Sequence, residues 1–395
     1  MSQLLIHNAK LISPHGINRG GVLVTDERIS LIFAETEKPT GLTSAETVDL
    51  AGGYLAPGMI DLHIHGSVGV DVLDADADAL ARLSEFLLTE GVTGYFATLV
   101  PADEEHYRKA LAEIASYTKN ATAGARILGI HFEGPFVSHN RCGALQPDFF
   151  RTFNGDSQTL DLFTELREVS SLPTLMTLAP EIEGGLDLIL ALTNRGVRPF
   201  IGHTEADPET LDRAAEAGAR HITHFPNALN PLHHRKPGAV AWGLVRGDIT
   251  ADCIADFHHV HPLMLKLIYQ AKGAGGLALI SDAILPTGLG DGEFTVWGDR
   301  ISVREGLTSL VGGPSEGTIA GSVITMRQAL RNAVSLGIAV EDAVRMAAGV
   351  PARVCGLDSD YGSLEEKKRA DIVGFDDELG VMLAVVGGSV KLDRR

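Results

Sequence analysis

The spacing of apolar and polar positions changes twice along this chain of 395 residues. In residues 1–54 the apolar runs are short and are broken by Gly, Pro, Asn and Asp, as at Leu4–Ile6 and Ile29–Phe33. Such runs are typical of β-strands joined by turns. The same style returns at the end of the chain in Ala370–Phe375 and Leu383–Val386. We therefore predict that the two ends pair into one small β domain.

The middle of the chain, residues 55–349, alternates between short apolar runs and stretches whose apolar spacing is near 3.6 residues. Eight strands are predicted: Met59–Ile64, Tyr95–Val100, Ile127–Phe132, Thr174–Leu178, Pro199–Ile201, His221–Phe225, Ile249–Ile254 and Leu277–Ile280. The helical stretches include Asp78–Thr89, Glu104–Tyr117, Pro208–Ala217, Pro262–Ala274 and Ser322–Ser335. Repeated β-then-α units favour a (β/α)₈ barrel.

The predicted fold class is α/β. A (β/α)₈ TIM-like barrel, residues 55–349, carries a small β-sandwich domain formed from residues 1–54 and 350–395. Residues 283–318 interrupt the barrel pattern, because they are rich in Gly and contain two strand-like runs, Phe294–Trp297 and Arg300–Val303. We expect a β-hairpin inserted after the eighth strand.

Charge and cysteine content narrow the function classes. Lys and Arg number 33 and Asp and Glu 51, for a formal charge of −18. Such a surface repels phosphate backbones and anionic lipids, so neither a nucleic-acid nor a membrane partner is expected. The three cysteines, Cys142, Cys253 and Cys355, form no disulfide framework, and the sequence shows neither a signal peptide nor an apolar run of about 20 residues. The predicted location is the cytoplasm.

Metal-ligand residue types recur at the ends of the predicted barrel strands. They are His63 and His65 on strand one, Glu133 on strand three, His203 after strand five, His224 on strand six and Asp282 on strand eight. These ends share one face of a parallel barrel, where active sites are built. Imidazole and carboxylate suit Zn²⁺ or Fe²⁺, and three protein ligands with an open position make a hydrolytic site. Asp282 is placed to exchange protons with a metal-activated water.

Each of these residues also has a structural interpretation. A His-x-His pair at a strand end is often a packing or capping feature, Glu133 could cap the following turn, and His224 could be a core histidine. His131 is interpreted as structural, because its strand position faces away from the neighbouring core residue. Ligand types at the ends of five strands are difficult to explain by packing alone, so the metal site is preferred.

A second cluster is cationic. His233, His234, Arg235 and Lys236 follow strand six, and His258–His259 follow strand seven. Arg and His beside backbone N–H groups can hold a phosphate, whereas a basic loop alone is usually solvated. In so acidic a chain, the position of the loop beside a predicted metal ligand favours anion binding. Cys142 lacks an established base and is interpreted as an ordinary loop cysteine.

A set of short motifs is spread through nearly the whole chain. They are Pro57–Gly66, His131–Phe136, Leu178–Glu181, Ile201–Thr204, Thr223–His224, Asn227–Ala228, Ser281–Ala283 and Ile319–Ser322. These motifs resemble those of the N-acetylglucosamine-6-phosphate deacetylases of the amidohydrolase superfamily, and the Glu-Gly-Pro and Asn-Ala motifs are the most specific.

The resemblance implies roles for individual residues. Glu133, His203 and His224 correspond to the ligands of the main divalent metal, and His63 and His65 to a pair that supports a second metal in some members. Asp282 corresponds to the catalytic acid/base. Substrate contacts are implied for Ala144, Asn227, Ala228, Arg235, His259, Ile319, Ala320 and Gly321. The family's arginine reaches in from a neighbouring subunit, so a homodimer sharing Arg235 across its interface is implied.

The sequence departs from the family pattern around the substrate. Leu145 stands where the loop after Glu133 usually carries a substrate-contacting histidine. Phe257 replaces the glycine of the usual Asp-Gly-x-His-Val, and Pro226 alters the segment after His224. These changes bear on the substrate rather than on the reaction.

Three hypotheses follow. The first is hydrolysis of the acetamide of an N-acetyl amino-sugar 6-phosphate, with the glucosamine compound as the main candidate and its galactosamine epimer as the alternative. The second is an amidohydrolase acting on a cyclic amide or another N-acyl compound; many such enzymes use a carbamylated Lys, and no predicted barrel strand contains Lys. The third is a non-catalytic barrel, which would be expected to have lost a ligand or Asp282.

Overall fold

The structure is a computed structural model of the chain. It describes residues 2–13, 16–40, 42, 45–120, 123–164, 172–313 and 315–395. Among these residues no helix is both long and apolar enough to cross a membrane.

The central element is a parallel eight-stranded sheet that closes into a barrel. Its strands are β6 (Met59–Ile64), β9 (Val92–Leu99), β10 (Arg126–Glu133), β11 (Thr174–Leu178), β12 (Arg198–Ile201), β13 (His221–Ile222), β14 (Thr250–Ile254) and β15 (Leu277–Ile280). They neighbour one another in chain order. The first and last strands meet through a parallel bridge between Ile64 and Ala283. This confirms the predicted barrel.

Helices surround the barrel and bury their apolar faces against it. They are α1 (Ala77–Thr89), α2 (Glu104–Asn120), α3 (Gly185–Asn194), α4 (Pro208–Ala217), α5 (Ala239–Val245), α6 (Pro262–Gly276), α7 (Met326–Ser335), α8 (Val340–Val344) and α9 (Val350–Val354). A π-helical turn, Arg345–Gly349, joins the last two. Because both faces of each barrel strand are covered, the strands are nearly continuous apolar runs.

The two chain ends form the small β domain, as predicted. Its strands are β1 (Gln3–Ser13), β2 (Gly16–Thr25), β3 (Arg28–Ala34), β4 (Glu46–Asp49), β5 (Tyr54–Pro57), β19 (Ile372–Phe375), β20 (Val381–Val386) and β21 (Ser389–Asp393). They belong to one hydrogen-bonded mixed sheet, in which β5 joins β1 to β19. A separate core, which includes Ile6, Leu55 and Leu383, fills this domain. The boundaries at residues 54/55 and 349/350 stay a prediction.

The inserted segment after β15 contains three antiparallel strands where a two-stranded hairpin was expected. They are β16 (Gly292–Val296), β17 (Asp299–Arg304) and β18 (Leu307–Leu310). The third strand is short and partly exposed, so its apolar pattern is weak. A further two-stranded element, β7 (Gly66–Ser67) and β8 (Val70–Asp71), follows the first barrel strand.

Two predicted element boundaries differ from the structure for local reasons. Strand six is only two residues long, because the chain turns immediately after Ile222 and His224 lies in that turn. The predicted helix from Ser322 begins at Met326, since Thr325 is its N-cap and accepts a hydrogen bond from the Gln328 amide. Ser322 instead pairs with Ala283 at the barrel closure.

Candidate metal centre and active site

Three of the predicted chemical residues lie immediately after barrel strands in an uncommon backbone conformation. His203, His224 and Asp282 have φ values of 47°, 35° and 50°. Left-handed backbone is unfavourable for residues with a Cβ and persists where the surrounding structure enforces it, often at active sites. Here it lets each strand end and turn away while the side chain remains at the mouth of the barrel. The ends of these strands therefore place the side chains of all three residues in the wall of one cavity.

Glu133 is the centre of this group. Its Oε1 lies 2.9 Å from His203 Nε2 and 3.0 Å from His224 Nε2. The two imidazole nitrogens are themselves 3.0 Å apart. All three residues are buried, and one ligand atom from each lies within 4.8 Å of the others. This is the spacing of three atoms that could share one ion.

His63 and His65 form a second group with the same carboxylate. Their Nε2 atoms are 3.0 Å apart, and His65 Nε2 lies 3.2 Å from Glu133 Oε2. Asp282 Oδ1 faces both rings, at 3.5 Å from His63 Nε2 and 3.4 Å from His65 Nε2. Glu133 therefore bridges the two groups: Oε2 faces His65, and Oε1, which faces His203 and His224, also lies 3.7 Å from His63 Nε2.

The hydrogen bonds of His203 indicate whether these residues fit a cation, because they fix which ring nitrogen faces Glu133 with a lone pair. His203 Nδ1 donates a hydrogen bond to the Arg141 carbonyl at 2.7 Å, so the Nε2 of the neutral ring carries a lone pair. That lone pair faces Glu133 Oε1, which is also an acceptor. A divalent cation between them would satisfy both, and imidazole with carboxylate is the donor set that Zn²⁺ and Fe²⁺ accept. The residues fit a metal.

The charges of the site favour the ionised carboxylates that ligation requires. Burial acts to raise the pKa of Glu133, but the nearby imidazoles of His63 and His224 hold that pKa well below its usual value. The pKa of Asp282 is also lowered, because the nearby His63 and His65 outweigh the effect of its burial. Both carboxyls are therefore anionic and ready to act as ligand or base.

His131 lies beneath the site, as its structural interpretation predicted. Its Nδ1 donates to the Leu62 carbonyl at 2.9 Å, and its Nε2 accepts from the Thr177 hydroxyl at 2.8 Å. Burial lowers the pKa of His131 well below the usual value, so the ring is neutral. Its centroid is 4.7 Å from that of His63. It supports the strand-one ligands from below.

Asp61 braces the closure of the barrel between the first and last strands. The buried carboxylate accepts hydrogen bonds from the His63 amide, the Ser281 amide and the Ser281 hydroxyl. These contacts fix the positions of two neighbouring site residues, His63 and Asp282.

We expect Asp61→Ala to lower the free energy of unfolding by about 3 kcal/mol or more, because it leaves three buried donors without an acceptor. Denaturant unfolding monitored by circular dichroism measures the change. The control is Asp78→Ala, an exposed residue of α1, which should change stability by less than about 0.5 kcal/mol. Equal stability of the two variants would contradict the bracing role.

A cavity of about 260 Å³ opens above the two groups. Its wall includes most of the residues that the sequence predicted: His65, Glu133, Ala144, His203, His224, Asn227, Ala228, His259, Asp282, Ile319 and Gly321. His63 lies fully buried beneath the wall. Ala320 does not reach it, because it packs into the core of the inserted sheet. Arg235 is exposed on its loop and lies outside the cavity wall.

The segment after β14 presents His259 to the cavity. His259 Nδ1 lies 2.7 Å from Asp256 Oδ2, and Asp256 Oδ1 also accepts the amides of His258 and His259. Phe257 has a φ of 69°, in the region that favours glycine. The residue that departs from the family pattern therefore occupies a backbone position where glycine would carry no strain.

Trp297 is the largest of the wall residues that the sequence analysis missed. It was assigned to a strand of the inserted hairpin, but it lies at the turn between β16 and β17 and faces the cavity. The only available signal was the Trp-Gly pair between two strand-like runs, which marks a turn. Leu145, Gly143 and Thr318 complete the wall.

Comparisons with known proteins agree with this geometry. The model of the amidohydrolase family matches residues 54–391. The N-acetylglucosamine-6-phosphate deacetylase of Bacillus subtilis is 34% identical over 98% of this chain and 96% of its own. The N-acetylgalactosamine-6-phosphate deacetylase of Escherichia coli O157:H7 is 34% identical over 85% of this chain and 87% of its own.

Solved structures of such enzymes have the same fold. The N-acetylglucosamine-6-phosphate deacetylase of Pasteurella multocida superposes with a TM-score of 0.89 at 28% identity, covering 99% of this chain and all of that one. A Mycobacterium smegmatis enzyme of the same name, determined as a mutant in complex with N-acetyl-D-glucosamine-6-phosphate, gives a TM-score of 0.88 at 30% identity over 99% of this chain and all of that one. The chain belongs to the amidohydrolase family, in the group that contains the N-acetylglucosamine-6-phosphate deacetylases.

Proposed function

We propose that the chain hydrolyses the acetamide of an N-acetyl amino-sugar 6-phosphate, with N-acetylglucosamine 6-phosphate as the main substrate, to acetate and the amino-sugar 6-phosphate. The observation that carries the proposal is the convergence of Glu133, His203, His224 and Asp282 in one cavity. Relatives that share a third of the sequence are deacetylases of this kind. Metal-dependent amide hydrolysis requires a group of metal ligands with an anionic carboxylate beside it, and these four residues combine the two.

The proposed cofactor is Zn²⁺ or Fe²⁺. Glu133, His203 and His224 would hold one ion, and His63 and His65 with the bridging Glu133 could hold a second. A divalent ion bound there would lower the pKa of an attached water and polarise the substrate carbonyl.

The residues of the chain perform the proton transfers. Asp282 accepts a proton from the attacking water as the new carbon–oxygen bond forms. It returns that proton to the amide nitrogen as the carbon–nitrogen bond breaks, so the leaving group departs as an amine. Asp282 is suited to this task because its carboxyl is anionic and its backbone is fixed on both sides. Its amide donates to the His63 carbonyl at 2.9 Å, and its carbonyl accepts from the Ser322 amide at 2.7 Å.

Substrate orientation is assigned to the polar part of the cavity wall. Asn227 and Ala228 on the turn after β13, and His259 after β14, would hold the sugar and its phosphate, and Ala144 and Ile319 also line the cavity. Binding energy from the phosphate, remote from the reacting bond, would then position the amide.

Asp256→Asn tests the assignment of His259. Asp256 Oδ2 accepts a hydrogen bond from His259 Nδ1 and holds the imidazole in place at the cavity wall, and a neutral amide in its position would hold the ring more weakly. We expect KM for N-acetylglucosamine 6-phosphate to rise about tenfold, the equivalent of about 1.4 kcal/mol, with kcat changed less than about threefold. Steady-state kinetics at pH 7 separates the two parameters. A fall in kcat at constant KM would contradict the phosphate-binding role.

We also propose a homodimer in which Arg235 completes the partner's site. Arg235 is exposed on its loop and outside the cavity wall of its own chain. Leu232 on the same loop is 52% exposed. An apolar side chain exposed on a basic loop fits a surface covered by a second copy. The proposed location of this dimer is the cytoplasm, in keeping with three free cysteines.

Subunit complementation is the matching experiment. Arg235→Ala should weaken turnover at low substrate concentration, and Asp282→Asn should abolish it. When the two are co-expressed, each mixed dimer contains one site with an intact Asp282 and an intact Arg235. We expect about a quarter of wild-type activity from a random mixture of dimers. Activity no higher than that of the Arg235→Ala protein alone, or a monomer in sedimentation, would contradict the shared arginine.

The reaction itself is tested by acetate release. The metal-loaded protein is incubated with N-acetylglucosamine 6-phosphate, its galactosamine epimer and the two unphosphorylated sugars. Release confined to phosphorylated sugars would support the proposal, and the faster epimer would identify the substrate. The galactosamine compound remains the second candidate, because Leu145 on the cavity wall replaces the family's substrate-contacting histidine. No release from any of the four would contradict the proposed function.

A further inference from the structure

Trp297 occupies a backbone position that its side chain should avoid. It and Gly298 form the two-residue turn between β16 and β17, with φ values of 52° and 85°. A turn with two positive φ values normally contains Asn, Asp or Gly, and a bulky residue there is a strained exception. Backbone strain of this kind persists where surrounding contacts enforce it and is concentrated at functional sites.

Three contacts, two of the indole and one of the backbone carbonyl, hold Trp297 against the site. Its Nε1 donates to the buried Asp71 Oδ2 at 2.9 Å. Its carbonyl accepts from the Gln146 side chain. Its ring packs edge-to-face with His65, at 5.0 Å between centroids and 78° between planes. Trp297 is therefore a rigid apolar wall beside the candidate metal ligands rather than a mobile surface residue.

The position of this wall relative to the polar residues assigns it to one part of the substrate. Asn227 and His259 follow the sixth and seventh barrel strands, whereas the ring of Trp297 packs against the ring of His65 at the end of the first strand. Asp282, at the end of the eighth strand, lies between the two sides. In a trans amide the carbon attached to the carbonyl lies on the opposite side of the C–N bond from the substituent of the nitrogen. With the sugar phosphate held over strands six and seven, the acyl chain points toward Trp297.

We infer that Trp297 is the specificity-determining residue for the acyl group, limiting it to about the size of acetyl. This inference rests on the proposed deacetylase function and deepens it. A rigid wall rejects an additional methylene because neither the indole nor the ligand can move aside, and one methylene in such a pocket changes kcat/KM by about 10–200-fold. A smaller residue at this turn should admit longer acyl chains.

The experiment compares N-acetyl-, N-propionyl- and N-butyrylglucosamine 6-phosphate as substrates and measures release of the free amine. The variants are Trp297→Gly, which suits the positive φ of the turn, and Trp297→Phe, which keeps an aromatic wall. In Trp297→Gly we expect kcat/KM for the butyryl substrate relative to the acetyl one to rise at least about tenfold. Trp297→Phe should give a smaller rise. Leu307→Ala, on β18 of the same sheet and outside the cavity wall, is the control and should leave the ratio unchanged.

The alternatives give different results. An equal loss for all three substrates in Trp297→Gly would mean that the indole contacts the sugar or only supports His65, and would overturn the inference. Thermal unfolding of each variant identifies a loss of activity that is caused by misfolding. If Trp297→Gly misfolds, the butyryl-to-acetyl ratio of kcat/KM in Trp297→Phe decides. An unchanged ratio in that variant overturns the inference. If wild-type protein releases amine from none of the three substrates, the proposed function fails and this inference fails with it. Turnover of acetyl alone by the wild type supports the function independently of the Trp297 result.

Discussion

Asp282→Asn is expected to lower kcat for N-acetylglucosamine 6-phosphate by about 10²–10⁴-fold while leaving metal binding intact. The amide of Asn cannot accept the proton of the attacking water or return it to the leaving nitrogen, and a positioned general acid/base contributes about 10²–10⁴-fold. The substitution is nearly isosteric, and the backbone bonds of residue 282 to His63 and Ser322 remain. The loss is therefore chemical rather than structural.

The measurement combines acetate release with metal content per chain. Metal should stay at the wild-type level, because Glu133, His203 and His224 are unchanged. The matched control, Asp187→Asn, removes an exposed carboxylate from the first turn of α3 and should not change kcat. Retained turnover by a metal-loaded Asp282→Asn protein would contradict the acid/base assignment.

The barrel and the residues of the candidate metal centre could be predicted because both depend on local sequence pattern. A buried parallel strand is a continuous apolar run, and the residue that follows it lies on the catalytic face whatever the rest of the chain does. Glu133, His203 and Asp282 each follow such a run, so their convergence was predicted before any distance was known. The left-handed backbone conformations of His203, His224 and Asp282 could not be predicted, because they depend on the structure that surrounds each strand end.

The cavity wall was harder to predict, because it depends on contacts between distant parts of the chain. Trp297 meets His65 and Asp71 only after the inserted sheet folds back over the barrel mouth. Ala320 lies between two wall residues, and only the structure shows that its side chain faces the core of the inserted sheet. The proposed role of Arg235 depends on a second chain. Sequence patterns therefore identified the reaction class better than the substrate pocket.

Glu133→Gln is expected to have the second large effect, on metal binding itself. Its two oxygens face the two imidazole groups, Oε1 toward His203 and His224 and Oε2 toward His65. The substitution keeps the volume but replaces an anionic ligand with a neutral amide, whose N–H₂ group cannot ligate. Removing even a supporting hydrogen bond to a metal ligand weakens binding by about 10–100-fold, so loss of a direct ligand should exceed that.

Metal analysis after gel filtration and thermal unfolding with added Zn²⁺ test this expectation together. Wild-type protein should gain stability with added metal, by about 2.7 kcal/mol when the free ion is at 100 times its dissociation constant. The Glu133→Gln protein should gain much less and should lose acetate release. Glu183→Gln, an exposed residue outside the cavity wall, should behave as wild type. Full metal content and an unchanged gain in stability in Glu133→Gln would show that His63, His65, His203 and His224 suffice to hold the ion, and the carboxylate would then need another role.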